Sequence, residues 1–152
     1  MLLDAVIAFL RDEGWEFARE GGADVVRTGY HGENGRWGCF AQTREELSQA
    51  VFFSVLPTIV AEDRRLAMAE LLTWVNFDLV IGNFEIDLDG GHVRYKTSID
   101  VEGTALTPTL VRPLVYDNVL TMDRYLPALQ AVASEGAVPH AAYRAVEEGE
   151  AG

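Results

Sequence analysis

Residues 82–103, GNFEIDLDGGHVRYKTSIDVEG, place acids at Glu85, Asp87 and Asp89 on alternate positions and bring in Arg94 and Lys96 after a pair of glycines. Three alternating acids followed by Gly90 look like the opening of a calcium loop. In such a loop the twelfth position carries a bidentate glutamate; counted from Glu85, that position is Lys96. A cation where the closing anion belongs argues against a metal. The remaining reading is a β-hairpin with one charged face, since alternation is the period of a strand. A loop at Gly90 and Gly91 would set Asp87 opposite Arg94 and Glu85 opposite Lys96, with Ile86 facing Tyr95, Leu88 facing Val93 and Phe84 facing Thr97. A loop at Asp89 and Gly90 would instead oppose Glu85 to Arg94 and Ile86 to Val93. Both registers keep acids against bases on one face and Phe84, Ile86, Leu88, Val93 and Tyr95 on the other, and each matched pair contributes about 0.2–1 kcal/mol.

Upstream of the hairpin, Met68, Leu71, Leu72 and Val75 repeat at helical spacing, so a helix is expected from about Glu62 to Val75. Before it, SQAVFFSVLP is apolar on both faces of a strand. Phe52 and Leu56 point one way and Val51, Phe53 and Val55 the other, which predicts cover on both sides. If only one helical layer is available, Phe52 and Phe53 become a candidate interaction surface. Earlier still, WEFARE, ADVVRTGYH and RWGCFAQT read as strands joined at Gly21 and Gly22 and at GENG, where Asn34 and Gly35 are a favoured hairpin pair. Leu3, Val6, Ile7 and Leu10 form the stripe of a first helix that stops at Gly14.

Downstream, a long helix should open at Thr107–Pro108 or Arg112–Pro113. Pro127 should kink or divide it, and Gly136 should end it. Pro139 begins a short last helix. Residues 1–147 thus read as one domain and 148–152 as a frayed acidic tail. Strands that follow one another without intervening helices imply an α+β fold, a mainly antiparallel twisted sheet of about six strands flanked by helices.

The 152 residues include 24 acids against 12 bases, a net charge of −12, and Lys96 is the single lysine. Such a balance disfavours nucleic acid and anionic membrane and would attract a basic or amphipathic protein partner. The single cysteine, Cys39, fits a reducing compartment. Asp4 interrupts the apolar start and no basic segment precedes it, so a cytoplasmic protein without a signal peptide is expected. Catalytic patterns are missing from the sequence. There is no G-x-S-x-G elbow, no zinc spacing and no phosphate loop, and Cys39 lies in an apolar strand where cysteine behaves as a small hydrophobe. No catalytic residue, metal or cofactor is assigned. The alternative is a small-molecule site or hydrolase assembled from distant residues such as His31, Cys39 and Asn118. Asn118 shares a helical stripe with Leu110, Leu114, Met122 and Leu126, which reads as an internal amide clamp.

The stretch from Asn76 through Gly82, Asn83, Phe84, Glu85, Asp87, Gly91, Arg94, Tyr95 and Lys96 to DVEG at 100–103 resembles the YbjN-type family of bacterial proteins. Asn118, Asp123, Tyr125 and Pro127 fit the later helix of that family. The resemblance implies a fold like that of type III secretion chaperones, commonly dimeric, with loose links to sensory or stress regulation and no catalytic residue to transfer. The expected function is therefore a non-enzymatic, homodimeric protein-binding module, chaperone-like or regulatory.

Overall fold

The computed structural model describes the backbone of residues 1–151 and the side chains of residues 1–149. Helix α1 (Leu2–Asp12) is followed by strands β1 (Phe17–Arg19), β2 (Val25–His31), β3 (Arg36–Arg44) and β4 (Gln49–Val55), then helix α2 (Arg65–Asp78). Strands β5 (Asn83–Ile86) and β6 (Val93–Asp100) and helices α3 (Pro108–Ser134) and α4 (Pro139–Ala151) complete the chain. The six strands form one antiparallel sheet in the order β1-β2-β3-β4-β6-β5. This is the expected α+β architecture. Helix α4 continues through 148–151, where a frayed tail was expected; Gly152 lies outside the described residues.

All four helices gather on one side. Helix α3 lies across β4 and β6, α1 packs over β2, β3 and β4, α2 sits beside β5, and α4 closes over α2 and α3. Alternation along each strand sends Val26, Trp37, Cys39, Ala41, Ala50, Phe52, Phe84, Val93 and Tyr95 into the single core beneath them. The opposite face carries no helix. The two-sided cover expected for β4 is therefore absent: Phe52 is fully buried under the helices, while Phe53 points to the open face.

The hairpin takes the second register, with Glu85 opposite Arg94, Ile86 opposite Val93 and Phe84 opposite Tyr95. The pairing of Asp87 with Arg94 is not made, and the loop is longer than either two-residue turn. The N–H of Asp87 donates to the carbonyl of His92 at 2.9 Å and that of Gly91 to the carbonyl of Asp87 at 2.7 Å. Leu88 consequently stands in the loop, 53% exposed, and not on the apolar face. The cause lies outside the hairpin. Arg65, at the start of α2, donates to the carbonyls of Val60 (3.0 Å), Leu88 (3.3 Å) and Asp89 (2.9 Å), and the N–H of Val60 donates to the carbonyl of Gly91 at 2.9 Å. Gly91 meets this demand with φ of +80°, and a Cβ there would lie 2.2 Å from the carbonyl oxygen of Val60.

The β2–β3 connection also departs from expectation. His31 pairs with Arg36, so residues 32–35 form a four-residue loop and Asn34 with Gly35 is not a tight turn. The Asp123 carboxylate on α3 accepts the N–H groups of Glu33 and Asn34, each at 2.8 Å. Asn34 Nδ2 in turn donates to the Asp123 carbonyl at 2.9 Å. That carbonyl is the one left without a helical donor four residues before Pro127, because proline has no N–H. Asn34 supplies the missing donor, and the proline ring itself faces solvent, so Pro127 is accommodated inside a continuous α3 and does not divide it.

The outer edge of β5 is closed by a side chain. Asn76 Oδ1 accepts the N–H of Phe84 at 2.8 Å and Asn76 Nδ2 donates to its carbonyl at 2.9 Å. Both outward groups at the middle of this short strand are thereby satisfied, as edge strands require.

Candidate functional site

The residues proposed for chemistry lie in the interior. Ser54 Oγ donates to Asn118 Oδ1 at 2.6 Å, accepts from Trp37 Nε1 at 2.9 Å and touches Cys39 Sγ at 3.6 Å. Asn118 Nδ2 faces the Phe52 carbonyl at 2.8 Å, Thr97 Oγ1 at 3.1 Å and the Tyr95 carbonyl at 3.2 Å, and Thr97 Oγ1 donates to the Leu114 carbonyl at 2.6 Å. Cys39 and Asn118 thus meet through Ser54, but Ser54 and Asn118 are fully buried and Cys39 is nearly so. His31 stands elsewhere, exposed at the end of β2. The cluster joins β3, β4 and β6 to α3 through hydrogen bonds made in the interior, away from solvent.

Burial pushes the Cys39 thiol up to about 12, against hydrogen bonds with Ser54 and Trp37 that lower it. A thiol so raised holds on the order of a thousandfold less thiolate near neutrality than a free cysteine. Native protein at pH 8 should therefore react with an aromatic disulfide reagent on the order of a thousandfold more slowly than denatured protein. Absorbance of the released thiolate follows this directly, and labelling at the denatured rate would contradict the buried placement.

Two surfaces have features suited to binding. The first is the helix-free face of the sheet. Phe53 is only 5% exposed there because the Arg94 guanidinium lies 4.2 Å above its ring and Phe40 stacks beside it at 4.6 Å between centroids. Glu85 holds this arrangement, with Arg94 Nε at 2.5 Å and Lys96 Nζ at 3.2 Å from its two oxygens. Burial raises the Glu85 carboxyl, but the hydrogen bonds and charges of Arg94 and Lys96 outweigh it and hold the group below its usual range. Beside these residues runs a groove of about 410 Å³ over Val51 and Phe53, bordered by Arg44, Gln49, Lys96 and Asp100.

The second surface follows the outer side of α2 into β5. Leu66, Trp74, Phe77, Val80 and Ile81 all lie exposed, Phe77 at 91% and Val80 at 93%. Trp74 packs tilted against His140 of α4, with ring centroids 4.3 Å apart, and Tyr143 Oη donates to Asp78, so the neighbouring helix steadies the base of this patch.

Within the hairpin motif, Gly82 turns the chain from α2 into β5 with φ of +73°. Asn83 pairs with Lys96, Phe84 is buried, and Tyr95 Oη donates to the Ile81 carbonyl. The edge-closing role of Asn76, the loop-binding role of Asp123 and the anchor at Arg65 depend on partners 8, 90 and 24 residues away, and hydrophobic periodicity carries no signal for them. Among the described residues no group of three or more His, Cys, Asp and Glu could hold a metal ion. Among them too, no helix is long and apolar enough to cross a membrane.

The family model described as "YbjN: Putative bacterial sensory transduction regulator" matches residues 2–131. Among solved structures, the chain is similar to the "Crystal structure of YbjN, a putative transcription regulator from E. coli", with a TM-score of 0.64 and 14% identity. That likeness covers 88% of this chain and 92% of the other and concerns the fold. No curated protein matches the chain.

Proposed function

The chain belongs to the YbjN family, and from that premise we propose that it is a non-enzymatic, regulatory protein-binding module, chaperone-like in mode, working as a homodimer in the cytoplasm. The observation that carries this reading is the exposed apolar stripe of Leu66, Trp74, Phe77, Val80 and Ile81. Exposed apolar surface of this kind marks a contact face. A second copy is the occupant that charge favours. At a net charge of −12, two copies repel across most of their surfaces, so self-association needs a face poor in charge. A two-fold contact sets such a patch against itself, which asks only for self-complementary apolar side chains. Two acids border the stripe on α2: Asp78, which is engaged by Tyr143, and the exposed Glu70, one helical turn from both Leu66 and Trp74. Closure of Cys39 and Asn118 to solvent supports the non-enzymatic part of the proposal, and a buried free thiol suits a reducing compartment.

Light scattering coupled to size exclusion tests the dimer. The wild-type protein should have twice the 16.8 kDa mass of one chain. Phe77→Asp combined with Val80→Asp should reduce it to a single-chain mass while leaving the circular dichroism spectrum unchanged, since both side chains are almost fully exposed. A wild-type protein that scatters as one chain at micromolar concentration would refute the dimer.

A further inference from the structure

We propose that the open face of the sheet docks an acidic, extended polypeptide segment from a partner protein, a reading that rests on the protein-binding function above and gives it a partner chemistry. Charge is distributed unevenly over the molecule. Strand register sends Arg27, Arg36, Arg44, Arg94 and Lys96 to this face, against Glu85 and Asp100, and Glu20 reaches it to pair with Arg27. The chain as a whole has two acids for every base, so the sheet face is inverted in sign relative to the rest of the molecule. The surplus is also uncompensated. Arg27 pairs with Glu20, and Arg94 and Lys96 share Glu85, but Arg36 and Arg44 are exposed and have no carboxylate partner among the described residues. In an acid-rich chain, two guanidinium groups without a carboxylate stand at opposite ends of one strand.

The shape of the face fits an extended segment. Arg36 and Arg44 are eight residues apart on β3, a separation of about 26 Å at roughly 3.3 Å per residue, so a segment of about eight residues would reach both. At the Arg44 end the face offers the groove that crosses from β4 to β6 over Val51 and Phe53, open to an apolar side chain. Opposite one another on β2 and β3, Gly29 and Gly38 leave the sheet without side chains, and a Cβ at Gly38 would meet nothing within 4 Å. A partner backbone can approach closely there. Whole-chain charge favours a basic partner, but screening confines charge effects to about 8–10 Å at physiological salt, so the local sign of the docking face decides. The same reasoning favours a peptide over a nucleic acid. A duplex presents one charge per roughly 1.7 Å and would bring many phosphates against the surrounding acids, whereas a short peptide can match the few cations available.

The probe is a fluorescein-labelled peptide with glutamates flanking a central Trp-Ser-Leu, followed by anisotropy in about 20 mM and about 200 mM salt. Wild-type protein should bind at low salt and weaken severalfold or more at the higher concentration. Arg36→Glu with Arg44→Glu should weaken binding at least about tenfold at low salt. Arg11→Glu with Arg144→Glu, which changes net charge equally on the helical side, should leave it within about twofold. Absence of binding at low salt, equal weakening by both double variants, or tighter binding of a single-stranded oligonucleotide of matched charge would overturn the inference. A neutral or basic peptide bound in place of the acidic one would overturn it while leaving the protein-binding function standing, and the scattering mass reads the dimer independently of either.

Discussion

Asn118→Leu is expected to lower stability by about 3–5 kcal/mol, a large share of the roughly 5–15 kcal/mol typical of a folded domain. The replacement removes the acceptor of the Ser54 hydroxyl and the donor shared by Thr97 and the carbonyls of Phe52 and Tyr95, all without solvent to replace them. Each buried group left unpaired costs about 1–3 kcal/mol, and the members of the cluster should be coupled. Chemical denaturation should show the midpoint moving sharply downward. Ser54→Ala should itself destabilise, and the double variant should lose less than the two single losses together. Near-native stability of Asn118→Leu would show that the cluster is not a clamp.

Gly91→Ala should cost about 2–5 kcal/mol, combining a left-handed backbone for a residue with a Cβ and a collision with the carbonyl of Val60. Gly103 provides the internal comparison. Its φ of +82° is nearly the same as the +80° of Gly91, but a Cβ there would meet nothing within 4 Å. Gly103→Ala should therefore pay only the backbone part, about 1–2 kcal/mol. Thermal melts of the two variants separate backbone strain from steric exclusion. Equal losses would mean that the loop yields freely and that Arg65 does not fix the register.

The hairpin shows how far local pattern reaches. Alternation in FEID and VRYK was enough to assign both faces, because side chains of a strand point to opposite sides whatever its partner. Register was not legible, since its cause is Arg65 gripping the carbonyls of Leu88 and Asp89 from a helix that precedes the hairpin. Pro127 failed as a helix breaker for a related reason: the donor that replaces its missing N–H belongs to Asn34, far earlier in the chain. Asn118 was recognisable, as a lone amide on an apolar stripe must find partners inside. The sign of the sheet face was hidden by the summed charge, because composition averages over two sides that register keeps apart.

The amide of Asn76 has a bearing on selectivity. A chain arriving beside β5 finds the N–H and carbonyl of Phe84 already taken, so it cannot simply lengthen the sheet by main-chain pairing at that point. Main-chain pairing is open to almost any extended sequence, and with it closed here, discrimination passes to side chains. Under the proposed binding function, visitors that meet this edge with the same backbone shape but different residues should be told apart by their side chains.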